Sequence, residues 1–514
     1  MSSRWRILAV LCLAVFVVNV STTIVNIALP TLTREVGADT RDLLWIVDSF
    51  NLTFAAFVLA AGSLSDRFGR RRFLVGGLGI VVVACLAGSQ ATSSGPLIAS
   101  RAVAGIGAAI VFPVTLSIIS NVFSDRKERA QAIGLWGAST GMAVALGPVA
   151  GGWLLEQFWW GSILVFTAVV AGLALALSLR IVPDSRDPSA PQLDIRGLVL
   201  SAAALGLLVH TIIEAPERGW ASAATLAAFA ATAALLAVFV RVELRTPEPM
   251  LDVRLFTNLR FTAASLAVTT SFFALFGFIF LITQYFQFVR GYGPLETGLR
   301  ILPVATFVAI TSVLGALLAV RFGTKLVVAA GLLSLSAAYS WVSTAGTDTS
   351  YWAIVGQMVL LGSGMGLTST PATEAIMGVV PAAKAGIGSA VNDATRELGG
   401  TLGVAIIGSV SLSLYRDAIG TAGLPAEATE TARESVGAAY GVAATLPGDG
   451  AAELTRLAQQ GFLDGLSAGC LVAAGVTFVG ALLVLRYLPA HPLAVSEASP
   501  VEEAPPAAGL AATL

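Results

Sequence analysis

"GSLSDRFGRRR", residues Gly62 to Arg72, places five charges in eleven positions of a 514-residue chain that is 56% hydrophobic and 12% charged. Apolar runs press on it from both sides, "FAAFVLAA" (54–61) and "FLVGGLGIVVVACLAG" (73–88). An apolar run beyond about 18 residues with few charges reads as a membrane span. The knot is therefore a tight turn between two spans, and its neighbours set the fold class: an all-α integral membrane protein. The mean hydropathy of +0.83 agrees.

Windows of about 20 residues place fourteen spans, near 6–30, 43–63, 73–91, 96–119, 130–155, 159–180, 196–214, 221–241, 261–289, 296–320, 326–345, 351–377, 385–412 and 462–486. The first apolar run continues to Pro30 without a small-residue cleavage site, so a retained span is expected rather than a signal peptide. With the N-terminus in the cytoplasm, twenty of the thirty Lys and Arg fall in inner segments and seven in outer ones. The positive-inside rule then puts both termini in the cytoplasm, and the expected location is the cytoplasmic membrane.

Composition excludes several classes. A net charge of −1 leaves no basic surplus for nucleic acid. Cys12, Cys85 and Cys470 all lie in apolar runs, so buried free thiols are expected. His210 and His491 are too few for a metal site. No P-loop is present, so an enzyme, a nucleotide or any other cofactor is not expected, and an ion gradient is the expected energy source.

An internal echo supports a repeat. "DRFGRR" (66–71) aligns with "VRFGTK" (320–325), each following the second span of a block of six if spans seven and eight are an insertion. Repeated halves with a site between them are a common transporter plan. The expected divisions are a six-helix half (1–182), a two-helix insertion (183–258), a second six-helix half (259–490) with an extracytoplasmic loop (416–460), and a disordered tail (491–514).

Gly62, Asp66, Arg67, Gly69, Arg70 and Arg71 resemble the loop 2–3 signature of the major facilitator superfamily. "RAVAGIGAAIVFP" from Arg101 is similar to its fourth-helix motif, and "GPVAGGWLL" from Gly147 to the fifth-helix motif of its antiporters. "IVNIALPTL", "WIVDSF", "QYFQFVRGYGPLETGLRILP" and "GSAVNDATRELGGTLGVAIIGS" resemble the fourteen-helix drug:proton antiporter branch. Two departures stand out: Ser21 occupies the place of a usual helix-one acid, and "FWWGSILVFTAV" replaces the usual start of helix six.

The resemblance implies a major facilitator fold of 6 + 2 + 6 helices. It implies a proton-coupled exporter of hydrophobic, cationic drugs working by alternating access, with substrate, protons and membrane lipid as partners and the monomer as working unit. It also implies that the knot's Asp66 latches the outward-facing state, here toward helix thirteen near Lys384. Gly147, Pro148, Gly151 and Gly152 would form a seal between halves, where small residues let helices approach closely in lipid.

Intramembrane charges are costly and read as functional by default. Asp48 and Arg101 lie at similar depth in helices two and four, so they could pair. Asp393, Arg396 and Glu397 share one face of helix thirteen at i, i+3, i+4, counted near the midplane, with one cation against two acids. Either set could carry the proton. Phe272, Phe276 and Gln284 of the aromatic helix nine are candidate substrate-lining residues, since aromatic faces hold lipophilic cations. The alternatives are export of a specific lipid, siderophore or antibiotic, facilitation without proton coupling, and a non-transporting scaffold or receptor using loop 416–460.

Overall fold

The computed structural model describes residues 3–123, 125–186, 194–379, 385–420, 425–446 and 449–489. The side chains of Asp66, Arg126 and Lys127 are outside the described set, as are Lys384 and the tail. Fourteen helices are long and apolar enough to cross a membrane, and no strand occurs among the described residues.

Six helices form the first half: α1 (Ser3–Glu35), α2 (Thr40–Phe68), α3 (Arg70–Ser89), α4 (Ser94–Val122), α5 (Arg126–Gln157) and α6 (Ser162–Ile181). The insertion is α7 (Ile195–Arg218) and α8 (Ala223–Glu243). Then come α9 (Leu259–Gln284), α10 (Pro294–Phe322), α11 (Thr324–Val342), α12 (Tyr351–Met377) and α13 (Ala385–Ile419). Two short helices, α14 (Ala426–Glu434) and α15 (Val436–Ala443), precede α16 (Asp449–Tyr487). Most of the 416–460 stretch is thus helical, as its Ala- and Glu-rich composition favours.

Packing reproduces the repeat. In the first half α2 lies on α4, α1 on α5, and α3 on α4 and α6; in the second, α10 lies on α12, α9 on α13, and α11 on α12 and α16. The echoed motifs occupy equivalent corners. Gly69 between α2 and α3 has φ +116°, and Gly323 between α10 and α11 has φ +85°. Both are conformations that glycine adopts without steric cost, which explains why Arg-Phe-Gly survives in each copy.

The start of α1 and the end of α16 lie on one face of the bundle, here the terminal face; the opposite one is the far face. At the far face the halves are sealed. Gln287 donates to the Ile27 carbonyl (2.9 Å), and Glu156 accepts from the Leu295 amide (3.2 Å). The insertion adds a clasp, in which the Glu217 carboxylate meets Arg41 of α2 and Arg416 of α13, each at 3.1 Å. Tyr440 of α15 caps the seal by donating to the Phe288 carbonyl (2.9 Å). Towards the terminal face the seam opens: Gly134, Gly137 and Gly141 of α5 have empty space where a side chain would point.

Candidate functional site: charged and aromatic groups between the halves

Arg101 is among the largest fully buried side chains. Its Nε donates to the Ile46 carbonyl (3.2 Å), its Nη1 to the Ser21 hydroxyl (3.0 Å), and its guanidinium carbon lies 4.4 Å from the Phe50 ring centre. Among the described residues it makes no ion pair with Asp48. Helical phase explains this. Ile46, Ser49, Phe50 and Thr53 form the stripe of α2 that faces α4, with Ser49 and Thr53 donating to Ile98 and Ala102 carbonyls. Asp48, two residues from Ile46 and from Phe50, points to the opposite side. Ser21, at the place of the usual acid, is instead Arg101's hydroxyl acceptor. Ser21→Ala is expected to lower stability by about 1.5–3 kcal/mol, the range for a hydrogen bond to a charged group. Thermal unfolding in detergent checks this, with an unchanged midpoint as the contrary result.

Asp48 is fully buried, and neither carboxylate oxygen has a hydrogen-bond partner among the described residues. It shares a stripe of α2 with Leu44, which stands against Gly408 of α13 in the other half. Counting along the antiparallel helices from that contact sets Asp48 level with Val404 and Asn51 level with Thr401. The Asn51 amide, Thr401 Oγ1 and Glu397 Oε2 are likewise buried and unpartnered among the described residues. The α2–α13 seam therefore carries a row of unsatisfied polar groups from Asp48 to Glu397.

Asp393 and Glu397 are nearly buried, at 4% and 9% exposure, and lie about a quarter and a third of the way along α13 from the terminal face, below the expected midplane. Arg396 approaches Asp393 Oδ1 at 3.7 Å. Its guanidinium carbon sits 4.6 Å from the Phe272 ring centre on α9 and 6.0 Å from that of Phe112 on α4. Phe112 in turn meets Trp136 at 5.0 Å and Phe54 at 5.7 Å, and Phe272 meets Phe276 at 6.2 Å. Aromatic faces from both halves thus converge on one cation beside two acids. Gln284 lies elsewhere, at the far-face end of α9, bonded to the Phe280 carbonyl (3.1 Å). Phe112, Phe54 and Trp136 escaped the sequence reading because an aromatic residue on a transmembrane helix carries no mark distinguishing cavity from lipid.

The α5 glycines divide between two neighbours. A side chain at Gly147 would strike Thr23, and one at Gly151 would meet Ile24 and Ile27, all on α1 of the same half. Gly152 and Pro148 instead face α10: a Cβ on Gly152 would lie 2.6 Å from Leu295 Cα, and one on Gly298 2.5 Å from the Pro148 carbonyl oxygen. In the charged knot the basic residues hold the end of α6. The Arg70 amide donates to the Ser185 carbonyl (2.8 Å), Arg71 donates to the Leu179 carbonyl, and Arg72 approaches Asp184 at 3.7 Å. Arg67 is exposed, lying over the Phe68 ring, and Gly62 passes Pro113 with room for a side chain. The expected Asp66 contact near Lys384 lies outside the described residues.

A family model described as Major Facilitator Superfamily matches residues 11–404. The chain belongs to this superfamily. It is 37% identical over 482 residues to the multidrug efflux pump LfrA of Mycolicibacterium smegmatis, covering 93% of this chain and 95% of that one. It is 33% identical over 451 residues to the methyl viologen resistance protein SmvA of Salmonella typhimurium, covering 87% and 90%. The tetracenomycin C resistance and export protein of Streptomyces glaucescens is 31% identical over 505 residues, covering 95% and 92%. These relatives fit the drug:proton antiporter branch of the superfamily. A crystal structure of a bacterial homologue of the human lysosomal transporter Spinster shares the fold, with a TM-score of 0.66 at 20% identity over 95% of this chain and 98% of that one.

Proposed function

We propose that this transporter exports hydrophobic cations across the cytoplasmic membrane in exchange for protons, working as a monomer whose two six-helix halves (1–182 and 259–490) rock about the seam between them. The observation that carries this reading is a cation, Arg396, placed beside Asp393 and over the rings of Phe112 and Phe272, which opposite halves contribute. A cation seated on desolvated ring faces gains about 2 kcal/mol, and a neighbouring carboxylate adds charge complementarity. Asp393 and Glu397 can also bind a proton, so substrate and proton compete for one place.

The Lys/Arg distribution supports a cytoplasmic terminal face. On that assignment the open end of the seam faces the cytoplasm, ready to collect substrate. Asp48 fits a role in the proton's path. A carboxylate buried without donor or cation is costly as an anion, and each unsatisfied group between it and Glu397 costs about 1–3 kcal/mol unless water or a proton serves it. Names of relatives that include multidrug efflux and methyl viologen resistance support the substrate class.

The test is ethidium flux in inside-out vesicles energised by a pH gradient. Dye movement that needs the gradient and fails in Asp48→Asn or Asp393→Asn supports the reading. Flux that persists without the gradient removes proton coupling. A second reading, export of one specific antibiotic, has support from the relative named for tetracenomycin C export, and an inserted wild type that moves no dye would favour it.

A further inference from the structure

Resting on the export reading, we propose that Arg396 is the resident cation of the substrate site: its guanidinium holds the ring faces of Phe272 and Phe112 in the unloaded protein, and a delocalised, lipophilic monocation displaces it to bind.

An arginine built as a fixed structural partner forms a two-pronged, hydrogen-bonded fork with its carboxylate. Arg396 does not. Its approach to Asp393 is 3.7 Å, beyond hydrogen-bond range, and it accepts this although Asp393 is only three residues away. Its Nε and Glu397 Oε2 are both buried without a hydrogen-bond partner among the described residues, so the second acid does not fix it either. Beside this loose ion pair, the guanidinium lies over two rings, at 4.6 and 6.0 Å, one from each half.

The arginine also has somewhere to go. Its side chain keeps 20% exposure against 6% for Asp393. It lies below the far-face seal, and the first turns of α5 leave open space towards the terminal face. Once it swings out, the rings and Asp393 stand free for an external cation.

Displacement sets selectivity. The incoming cation must outcompete a guanidinium on aromatic faces. That favours cations as weakly hydrated and as delocalised as guanidinium itself, and it disfavours compact, strongly hydrated ones such as inorganic ions and primary ammonium groups.

The experiment is equilibrium binding of tetraphenylphosphonium to the purified full-length protein in detergent, comparing wild type with Arg396→Lys and Arg396→Met. Triphenylphosphine oxide serves as the neutral probe of similar shape. Lysine keeps the charge but leaves ring faces more readily; methionine keeps the length and removes the competitor. Displacement predicts affinity rising in the order Arg, Lys, Met, by about threefold and about tenfold over wild type, with the neutral probe unchanged. A reversed order shows that Arg396 supports the site structurally and overturns the proposal. A flat order overturns it too, as does equal tightening of the neutral probe. The lysine variant preserves charge and fold if the methionine variant does not assemble. Binding is read without a gradient, so a failure of proton coupling in vesicles leaves this result standing, and a failure here leaves export standing.

Discussion

Asp393→Asn is expected to cut gradient-driven dye export by about 100-fold, a loss of about 2.7 kcal/mol at the barrier, while leaving the protein folded. The substitution keeps volume and shape, so the packing around a side chain with 4% exposure is preserved. What changes is charge. With the Asp393 carboxylate gone, Glu397 is the one acid of the pair left beside a cation seated on the rings, so the bound cation loses half of its countercharge in a poorly solvated place. The variant also loses a group that can take the return proton. Two independent handicaps, weaker substrate binding and no exchange, act on the same cycle. The check is the initial rate of ethidium uptake into inside-out vesicles, set beside thermal unfolding of the same variant. A rate within threefold of wild type would remove Asp393 from the coupling site.

Gly298→Val is expected to be comparably damaging for a mechanical reason. A Cβ at residue 298 would lie 2.5 Å from the Pro148 carbonyl oxygen and 2.8 Å from its carbonyl carbon, and Gly152 makes the reciprocal approach to Pro294 and Leu295. Those obstacles are backbone, held in α5 and α10, so no rotamer change relieves them. The far-face seal must open. Overpacking of this kind costs about 1–3 kcal/mol, enough to shift a two-state equilibrium by about 5- to 150-fold. Flux should fall at least tenfold, and the spin-label distance between residues 42 and 417 at the far face should lengthen. Gly134→Val is the control, since nothing lies within 4 Å of a Cβ there. A Gly298→Val protein with wild-type distance and flux would show that the seam yields.

The spans, the repeat and the insertion were legible in the sequence because lipid imposes long apolar helices, and because Gly69 and Gly323 mark equivalent corners. Depth was legible for Asp48 and Arg101 but not for Asp393 and Glu397, because α13 runs on to Ile419, past the expected end of the span; azimuth was not legible. Asp48 and Arg101 sit at similar heights, yet the stripe of α2 that meets α4 is set by Ile46, Ser49, Phe50 and Thr53. The hydroxyls at Ser49 and Thr53, four residues apart, were the available signal that this polar stripe packs on a helix. Ser21 read as a lost acid; in the fold it is the acceptor for a buried cation. Arg396 read as one cation against two acids; in the fold it approaches Asp393 and also lies over rings on α4 and α9 that are distant in sequence. Cross-half contacts of this kind depend on how the two repeats dock, which no local pattern records.

In this mechanism cation and proton compete for Asp393 and Glu397. Its most direct test is proton release from the purified protein in weakly buffered detergent near neutral pH, followed with an indicator dye as tetraphenylphosphonium is added. Wild type is expected to release protons in step with binding, and the Asp393→Asn, Glu397→Gln double variant to release none. Saturable binding to wild type with no proton release at any pH between 6 and 8 would contradict it.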